Sequence, residues 1–325
     1  MLSVVVIGRN DGATLPGCLR SVGQALASIR HELLYVDSGS TDESLPIAQS
    51  QGARCFRLRT TRTTAGLARR IGTQEAQGEY LLFLDGDMLL QPGFVETALT
   101  VMEKSGYDGA TGIRHDVYER DGRVIGENPN YYGCKVRREA TEFGGAILLR
   151  ATELNKAGGW AANVLTCEEA ELHARLIKHG ARVVELPVPM IRHIDRKRDN
   201  RGPLAALITP RRLGLGQALV NAVRMRCLWA LLKRERIAFL CWIVDALCVA
   251  ALCLGGWRSV WAIAAAQALQ LAAFGLMNRT RGFLGQKLLF VYLPAGVLSY
   301  RKRDEGYDAW VDASGGTPRA ASPTE

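Results

Sequence analysis

The sequence predicts an α/β fold: a mostly parallel sheet with flanking helices over residues 1–200, followed by a helical C-terminal region. Short apolar runs alternate with segments of helical periodicity through the first 190 residues, and this alternation is typical of a parallel sheet with right-handed crossovers. The run at 80–84 is apolar or aromatic throughout, as in a strand buried on both faces. From about residue 204, long apolar segments replace the alternation.

The predicted elements of the first domain follow one another in regular order. Strands are expected at residues 2–7, 32–37, 53–58, 80–84, 109–119, 143–150 and 181–188. Helices are expected at 15–29, after residue 40, at 65–77 and at 166–180. Ser40 and Glu43 have the spacing of a capping box, as do Thr166 and Glu169, and Gly78 is a natural helix stop.

Charge and hydrophobicity are concentrated in the C-terminal part. Residues 192–236 contain twelve Lys and Arg but three acids, so this window carries the whole net charge of +9. Residues 201–236 are therefore interpreted as a basic amphipathic segment on an anionic membrane surface. A nucleic-acid surface is the competing interpretation, but no recognition motif accompanies it.

Two nearly apolar segments, 237–254 and 260–276, predict a hairpin of membrane helices, since each approaches the ~20 residues that cross a bilayer. A buried helical pair in a soluble domain is the alternative. A third segment, 284–300, contains Lys287 and Pro294 and is ambiguous. The polar residues 301–325 are expected to be a disordered tail. With two spans, the first domain lies at the cytoplasmic face of the membrane.

The termini and cysteines limit the class of protein further. The opening MLSVVVIGRN lacks the basic and long apolar parts of a signal peptide, so it is interpreted as a first strand. The eight cysteines are scattered without a CxxC pair. This pattern argues against a zinc site or a disulfide framework and favours a reducing compartment.

The turn Asp85-Gly86-Asp87 is the strongest indication of a functional site. It directly follows the predicted central strand, and ligands of α/β sheets bind beyond the carboxyl ends of the strands. Two carboxylates there can hold a hard divalent cation and, through it, a phosphate. An ordinary acidic turn is the alternative.

Four blocks of the sequence together resemble family 2 glycosyltransferases of the GT-A fold. They are VVVIGRNDGATLPGCLRSV, YVDSGSTDES, LARRIGTQEAQGEYLLFLDGDMLL and the AGGW…EEAELHARL pair, in the family's order over roughly residues 1–190. The resemblance implies a Rossmann-like, mixed but mostly parallel sheet. The C-terminal part is similar to that of members working on lipid-linked or exported saccharides.

The resemblance implies a donor site built from four residues of the first half. Asp37 would contact the nucleotide base, or else form an Asx turn. Arg69 would face the nucleotide diphosphate, whereas the plain alternative is a solvated helix face. Asp85 would contact the ribose or the metal, and Asp87 would ligate the metal. The cofactor would be Mn²⁺ or Mg²⁺, which neutralises charge developing on the leaving diphosphate.

The resemblance also assigns roles to residues of the second half. Glu169 aligns with the general base of inverting members, with Glu168 as the runner-up; helix capping by Glu169 is the alternative. Trp160 would stack on a sugar face or lie in the core. His193 would ligate the metal or touch phosphate, although a lone histidine in a basic run more often does neither.

Two departures from the family bear on the substrate. Gly8-Arg9-Asn10 stands where the family commonly has Pro-Thr-Tyr-Asn, so the aromatic that stacks on the base is missing. The Gln-x-x-Arg-Trp signature of processive synthases is also absent, since Arg211-Arg212 lacks the Trp. The resemblance therefore implies transfer of a single sugar.

The expected function is transfer, with inversion, from a nucleotide-diphosphate sugar to a membrane-associated acceptor, lipid-linked or saccharide. Two other classes remain open. A membrane-anchored nucleotide-sugar binder would keep the donor site without the base. A sugar nucleotidyltransferase should begin with a Gly-rich loop followed by Arg and Lys, which GRNDGAT does not offer.

Overall fold

The computed structural model describes most of the chain. The described residues are 1–60, 62–196, 213–234, 236–255, 259–276, 291–300 and 310–313. Three parts of the predicted segments lie outside the described residues: positions 201–212 of the basic segment 201–236, positions 284–290 of the third apolar segment 284–300, and most of the tail 301–325.

Within the described residues, eleven strands form one mixed sheet. Their bounds are β1 Leu2–Gly8, β2 His31–Asp37, β3 Arg54–Leu58, β4 Tyr80–Asp85, β5 Met88–Leu90, β6 Gly109–Arg120, β7 Arg123–Asn128, β8 Arg138–Glu139, β9 Ile147–Arg150, β10 Val183–Arg196 and β11 Trp310–Asp312. The order is β11-β3-β2-β1-β4-β9-β6-β10-β5, with β7 on β6 and β8 on β10. Strands β3, β2, β1 and β4 are parallel, as predicted. Of the other pairs, β6–β10 is parallel and the rest are antiparallel, so the described sheet is mixed and not mostly parallel.

Ten helices have defined bounds in the described part of the chain. They are α1 Leu15–Ala25, α2 Ser44–Ser50, α3 Ala65–Glu75, α4 Phe94–Ser105, α5 Ala151–Lys156, α6 Glu168–Lys178, α7 Gly214–Arg224, α8 Leu228–Arg234, α9 Arg236–Gly255 and α10 Val260–Leu276. Residues 291–299 are also helical.

The core lies on both faces of the sheet. In β1, Val4 and Val6 pack into one apolar cluster, whereas Val5 and Ile7 pack into the other. Neighbouring side chains of a strand point to opposite faces, so a strand apolar at every position must be covered on both sides. The helices provide that cover and leave the strand ends free to form a site.

Several local predictions differ from the structure. Strand β10 runs eight residues beyond the expected end at 188, because it pairs with the long β6 beyond the irregularity at Pro189. Part of the expected disordered tail is ordered, since β11 pairs with β3 and Trp310 packs against Phe56 with ring centroids 5.0 Å apart. Neither predicted capping box forms: Glu43 and Cys167 occupy the N-cap positions, and no side chain caps either helix.

The basic segment 201–236 folds in its described part into α7 and α8. Both helices pack on α6, with Ala218, Ala222 and Leu231 fully buried in a cluster that includes Ala174 of α6. The amphipathic pattern is therefore explained by packing against the sheet domain. Gly216 of α7 lies close to Gly296: a Cβ atom added to Gly216 would be 2.7 Å from the Cα atom of Gly296.

The predicted hairpin forms as the helices α9 and α10, which contact each other. Nonetheless, no helix in the described part of the chain combines the length and apolar character needed to cross a membrane. The predicted membrane spans are thus not supported. Helix α10 has 17 residues, short of the ~20 required, and α9 begins at Arg236 and includes Asp245.

Candidate functional site

A cleft of about 580 Å³ lies at the carboxyl ends of β1 and β4. Parallel strands end at one edge of the sheet, so their terminal residues are neighbours there. Residues 165–169, just before and at the start of α6, also line the cleft. The lining includes five residues singled out in the sequence: Arg69, Asp85, Asp87, Glu168 and Glu169.

The Asp85-Gly86-Asp87 turn connects β4 to the short β5 at the floor of the cleft. The Gly86 amide donates to the Ile7 carbonyl at 2.9 Å. A Cβ atom at Gly86 would lie 3.1 Å from the Asp11 carboxylate, so glycine lets the turn approach β1 closely. The turn thereby places both aspartates at the cleft.

Arg69 joins the aspartate turn to the glutamates of α6. Its guanidinium is buried and lies 2.8 Å from Asp85, 3.0 Å from Glu168 and 3.7 Å from Glu169. Burial lowers the pKa of Arg69, but these three carboxylates outweigh burial and raise it. Arg69 therefore remains charged, and the alternative of a solvated helix face is wrong.

A glycine lets the backbone lie directly against this ion-pair cluster. A Cβ atom at Gly145 would lie 2.7 Å from Asp85 Oδ2 and 3.0 Å from Arg69 Nη2, and the φ of Gly145 is +73°. Other residues rarely adopt that backbone conformation. The backbone at residue 145 therefore approaches Asp85 and Arg69 closely.

Glu168 and Glu169 lie in the first turn of α6. The N-cap residue, Cys167, has a φ of 68° and no side chain caps the helix there, so the capping role expected for Glu169 is wrong. Burial and the charge of Glu169 raise the pKa of Glu168 to about 7, against the lowering effect of Arg69. Glu168 is buried, whereas the Glu169 side chain is partly exposed in the cleft.

Asp37 ends β2 and is fully buried. Both of its carboxylate oxygens accept from the Ser40 amide at 3.1 Å, and Arg57 Nε lies 3.5 Å away. This side-chain-to-backbone contact reaches three residues on, one more than in the Asx turn named as the alternative. Ser38, the next residue, lines the cleft, so Asp37 shapes the loop at the cleft's edge.

His193 reaches the aspartate turn from β10. Its Nε2 lies 3.7 Å from Asp87 Oδ1, and its Nδ1 lies 3.0 Å from Asp116 Oδ1. Burial lowers the pKa of His193, but the hydrogen bond to Asp116 and the proximity of Asp87 outweigh burial and raise it to about 9. Asp116 also accepts from Arg114 Nε at 2.6 Å. The parallel register of β6 and β10 places His193 opposite Asp116.

The donor set at this turn fits a hard divalent cation. Asp87 Oδ1 is buried and has no hydrogen-bond partner among the described residues, and Asp87 lines the cleft. Carboxylate oxygens are the ligands that Mg²⁺ and Mn²⁺ prefer. The described residues contain no ready group of three acid, histidine or cysteine ligands. Further ligands would have to come from elsewhere, such as the oxygens of a bound diphosphate.

Trp160 does not offer a ring to a sugar in this structure. Its side chain is fully buried between Phe83 and Phe143, with ring centroids 5.2 and 6.4 Å away. The Arg69 guanidinium lies 4.8 Å from the centroid of its ring. The predicted stacking of Trp160 on a sugar is therefore wrong. Trp160 is a core residue that packs against the guanidinium of Arg69.

Some residues around the site were not found by sequence reasoning. Asp11 is not among the residues singled out in the sequence, yet it lines the cleft. Arg114 and Asp116 lie within a strand whose alternation gives no functional signal, and only the pairing with β10 brings them to His193. Asp11 could have been noticed from its position just after the first strand.

Comparison with known proteins agrees with this geometry. Residues 3–148 match the family described as "Glycosyl transferase family 2". The glycosyltransferase GlyG of Streptococcus pneumoniae is 29% identical over 127 residues, which cover 38% of this chain and 42% of GlyG. A PGL/p-HBAD biosynthesis glycosyltransferase of Mycobacterium bovis is 37% identical over 91 residues, covering 27% and 35% of the two chains. The matches thus span less than half of these relatives.

Two solved structures share the fold at low sequence identity. The Staphylococcus aureus TarS fragment 1–349, in complex with UDP-GlcNAc, superposes with a TM-score of 0.57 at 15% identity, covering 100% of this chain and 99% of that one. GalNAc-T7 with UDP, GalNAc and Mn²⁺ gives a TM-score of 0.53 at 18% identity, covering 68% and 48%. Residues 3–148 thus match a family 2 glycosyltransferase domain, and the mixed sheet shares the fold of both solved structures.

Proposed function

We propose that the chain transfers a single sugar, with inversion and with the help of a divalent metal, from a nucleotide-diphosphate sugar to a membrane-associated acceptor. The observation that carries this proposal is Arg69. It links Asp85 of the aspartate turn to the Glu168–Glu169 pair in one cleft. A site for a leaving diphosphate and a site for a base thus lie side by side.

Each residue in or beside the cleft has a separate role in the proposed reaction. Glu169, the more exposed glutamate, takes the proton from the acceptor hydroxyl, whose oxygen attacks the anomeric carbon as the bond to the diphosphate breaks. Asp87, with Asp85 and His193 beside it, would hold the metal, which supplies positive charge to the leaving diphosphate. Arg69 fixes Asp85 and keeps Glu168 in place, while Asp37 holds the loop that would contact the nucleotide base.

The donor class is supported by the neighbouring structures. TarS was solved with UDP-GlcNAc and GalNAc-T7 with UDP and Mn²⁺. In this chain the cleft volume of about 580 Å³ lies within the range of ligand pockets. The absence of the Gln-x-x-Arg-Trp signature favours one transfer over polymerisation.

The membrane association is supported by α9 and α10. Their polar side chains face each other, since Gln267 and Gln270 donate to Asp245 at 3.1 and 3.3 Å. Their large apolar side chains face outward: Leu254 is 90% exposed and Trp261 is 83% exposed. Exposed apolar area of this kind marks an interaction surface. We place the hairpin against the cytoplasmic face of a membrane, where a lipid-linked or saccharide acceptor would lie.

The substitution Glu169→Gln tests the base. We expect transfer to fall by about 10²–10⁴-fold, because general base catalysis contributes that much, while donor binding measured by calorimetry stays within a factor of two or so. Glu96→Gln, an exposed glutamate on α4, is the matched control. Transfer at near-normal rate would overturn the base assignment, and absence of transfer in the wild-type chain with intact donor binding would favour a non-catalytic binder.

The substitution Asp87→Asn tests the metal site. It keeps the size of the side chain but removes the charge that holds the cation. Under the proposal, Mn²⁺ raises the affinity of the wild-type chain for nucleotide diphosphate and not that of the variant, as measured by fluorescence titration. If Mn²⁺ promotes binding equally in both proteins, Asp87 does not ligate it.

Flotation with phospholipid vesicles tests the membrane surface. Replacing Leu247 and Leu254 with Glu removes two leucines that would each contribute about 1.5–3 kcal/mol on burial, so the bound fraction should collapse. Val124 and Ile125 are similarly exposed on β7, and their double replacement with Glu is the control. Equal flotation of the two variants would refute the hairpin as the contact surface.

A further inference from the structure

Helix α7 lies directly against the segment that leads into the Glu168–Glu169 pair. Residues 165–167 of this segment line the cleft, as do both glutamates. A Cβ atom added to Gly214, the first residue of α7, would lie 2.5 Å from the carbonyl oxygen of Thr166 and 2.6 Å from its amide nitrogen. Glycine at this position therefore allows α7 to begin in contact with the backbone that forms one wall of the cleft.

Gln217, about one turn further along α7, forms a hydrogen bond with the same segment. Its Oε1 accepts from the Leu165 amide at 3.0 Å, and its Nε2 donates to the Ser299 hydroxyl at 3.2 Å. The side chain is buried, with 5% of its surface exposed. A buried amide that is bonded at both ends has a fixed orientation and stiffens its partners. Gln217 therefore ties the cleft segment to α7 and to the helix at 291–299.

The cleft segment has a strained backbone at Cys167. The φ of Cys167 is 68°, in the left-handed region that residues other than glycine rarely adopt. Such a conformation persists only where the surrounding structure holds the residue in place. Cys167 packs against the cluster that Leu215 of α7 and Trp242 of α9 form. Because Cys167 directly precedes Glu168, its backbone conformation sets the direction in which α6 begins.

We propose that Gln217 is a positioning residue for the Glu168–Glu169 pair, a role which rests on the proposed function of Glu169 as the general base. A base must lie within hydrogen-bond reach of the acceptor hydroxyl, and a displacement of about 1 Å can lower a rate about 10²-fold. Without Gln217, the Leu165 amide loses this acceptor and the start of α6 is held less firmly. Gln217 is not among the residues that line the cleft, so it acts on the reaction through the segment 165–167.

The substitution Gln217→Met tests this role, because it keeps the length of the side chain and removes both hydrogen bonds. The probe reaction is hydrolysis, by the full chain with Mn²⁺, of whichever of UDP-GlcNAc, GDP-mannose and dTDP-rhamnose the wild type hydrolyses fastest. We expect kcat to fall about 10–10²-fold, while KM stays within a factor of about two, as for an interaction that matters in the transition state alone. Tyr300→Phe removes a different hydrogen bond to α7, that from Tyr300 to Asn221, and should keep the wild-type kcat.

Hydrogen exchange at the Leu165 amide tests the anchoring without any substrate. Exchange should be about tenfold faster in Gln217→Met than in the wild type or Tyr300→Phe. If circular dichroism shows that Gln217→Met does not fold, Gln217→Ala replaces it with the same expectations. The role of Gln217 is overturned if its variant keeps the wild-type kcat, or if exchange at Leu165 is equal in all three proteins. If the wild type hydrolyses none of the sugars while exchange still depends on Gln217, the proposed transfer is contradicted and the anchoring stands.

Discussion

The sheet domain and the α9–α10 hairpin bury acidic residues beside different polar partners. In the sheet domain, buried carboxylates are paired with arginines, as Glu168 is with Arg69 and Glu171 with Arg175. In the hairpin, buried Asp245 accepts hydrogen bonds from two glutamine amides instead. The apolar side chains differ too, since those of β1 are inside, whereas Leu247 and Leu254 are outside.

The difference indicates what lies against each of the two regions. In the sheet domain, the Arg69–Glu168 pair lies at the cleft. The hairpin turns its polar groups inward and its leucines outward, which is favourable only if something apolar covers it. Stability should therefore depend on different side chains in the two regions, and substitutions can test this.

The largest effect is expected from Arg69→Met. This change leaves Asp85 and Glu168 without their buried counter-charge, and breaking a buried pair costs about 3–5 kcal/mol. Arg20→Met, at an exposed position on α1, is the control and should cost less than about 1 kcal/mol. Urea unfolding followed by circular dichroism measures both free energies. Equal losses would mean that the Arg69 cluster contributes no more than an ordinary surface arginine.

A pair of leucines compares the two regions directly. Leu84→Ala in β4 removes a fully buried side chain and should cost about 2–5 kcal/mol. Leu254→Ala in α9 removes a side chain that is 90% exposed, so without vesicles the free energy of unfolding should change by less than about 0.5 kcal/mol. Chemical denaturation checks both variants. A large loss for Leu254→Ala would show that the hairpin face is covered by protein in solution.

The parallel half of the fold followed from the sequence because apolar strands and amphipathic helices there alternate with clear periods. Other features depended on partners far away in the chain. β11 is ordered by pairing with β3, and the length of β10 by pairing with β6. The hairpin helices were found at the expected residues, but an apolar pattern alone did not establish membrane spans.

The candidate site was predictable where motifs supplied it. Asp85 and Asp87 were singled out from their position after a buried strand and Glu169 from the resemblance to the family, and all three line one cleft. Their roles remain predictions. The burial of Trp160 could not be inferred, because a tryptophan beside a glycine loop fits a sugar or a core equally well. The contact of Asp116 with His193 arises from strand register, which a single sequence does not reveal.

The hairpin's polar cluster should matter less than the Arg69 cluster. Asp245→Ala leaves the amides of Gln267 and Gln270 without this acceptor, and an unsatisfied buried polar group costs about 1–3 kcal/mol. Thermal unfolding of the full chain, compared with that of the exposed control Glu103→Ala on α4, measures the loss. No difference between the two variants would indicate that α9 and α10 are held together by apolar contacts alone.

A further effect, spread over several pH units, concerns the Glu168 carboxyl. Its pKa is raised from 4.5 to about 7 in the folded chain, so between these values the folded state holds a proton that the unfolded state has lost. Stability from this group is complete below pH 4.5 and is lost as the pH rises through 7. In Glu168→Gln no carboxyl titrates at this position. The free energy of unfolding should therefore fall less steeply with pH than in the wild type, with a difference in slope of up to about 1.4 kcal/mol per pH unit. Urea unfolding at several pH values, with Glu103→Gln as control, gives the slopes. Parallel slopes for wild type and Glu168→Gln would show that Arg69 keeps Glu168 ionised throughout, as in an ordinary buried ion pair of the sheet domain.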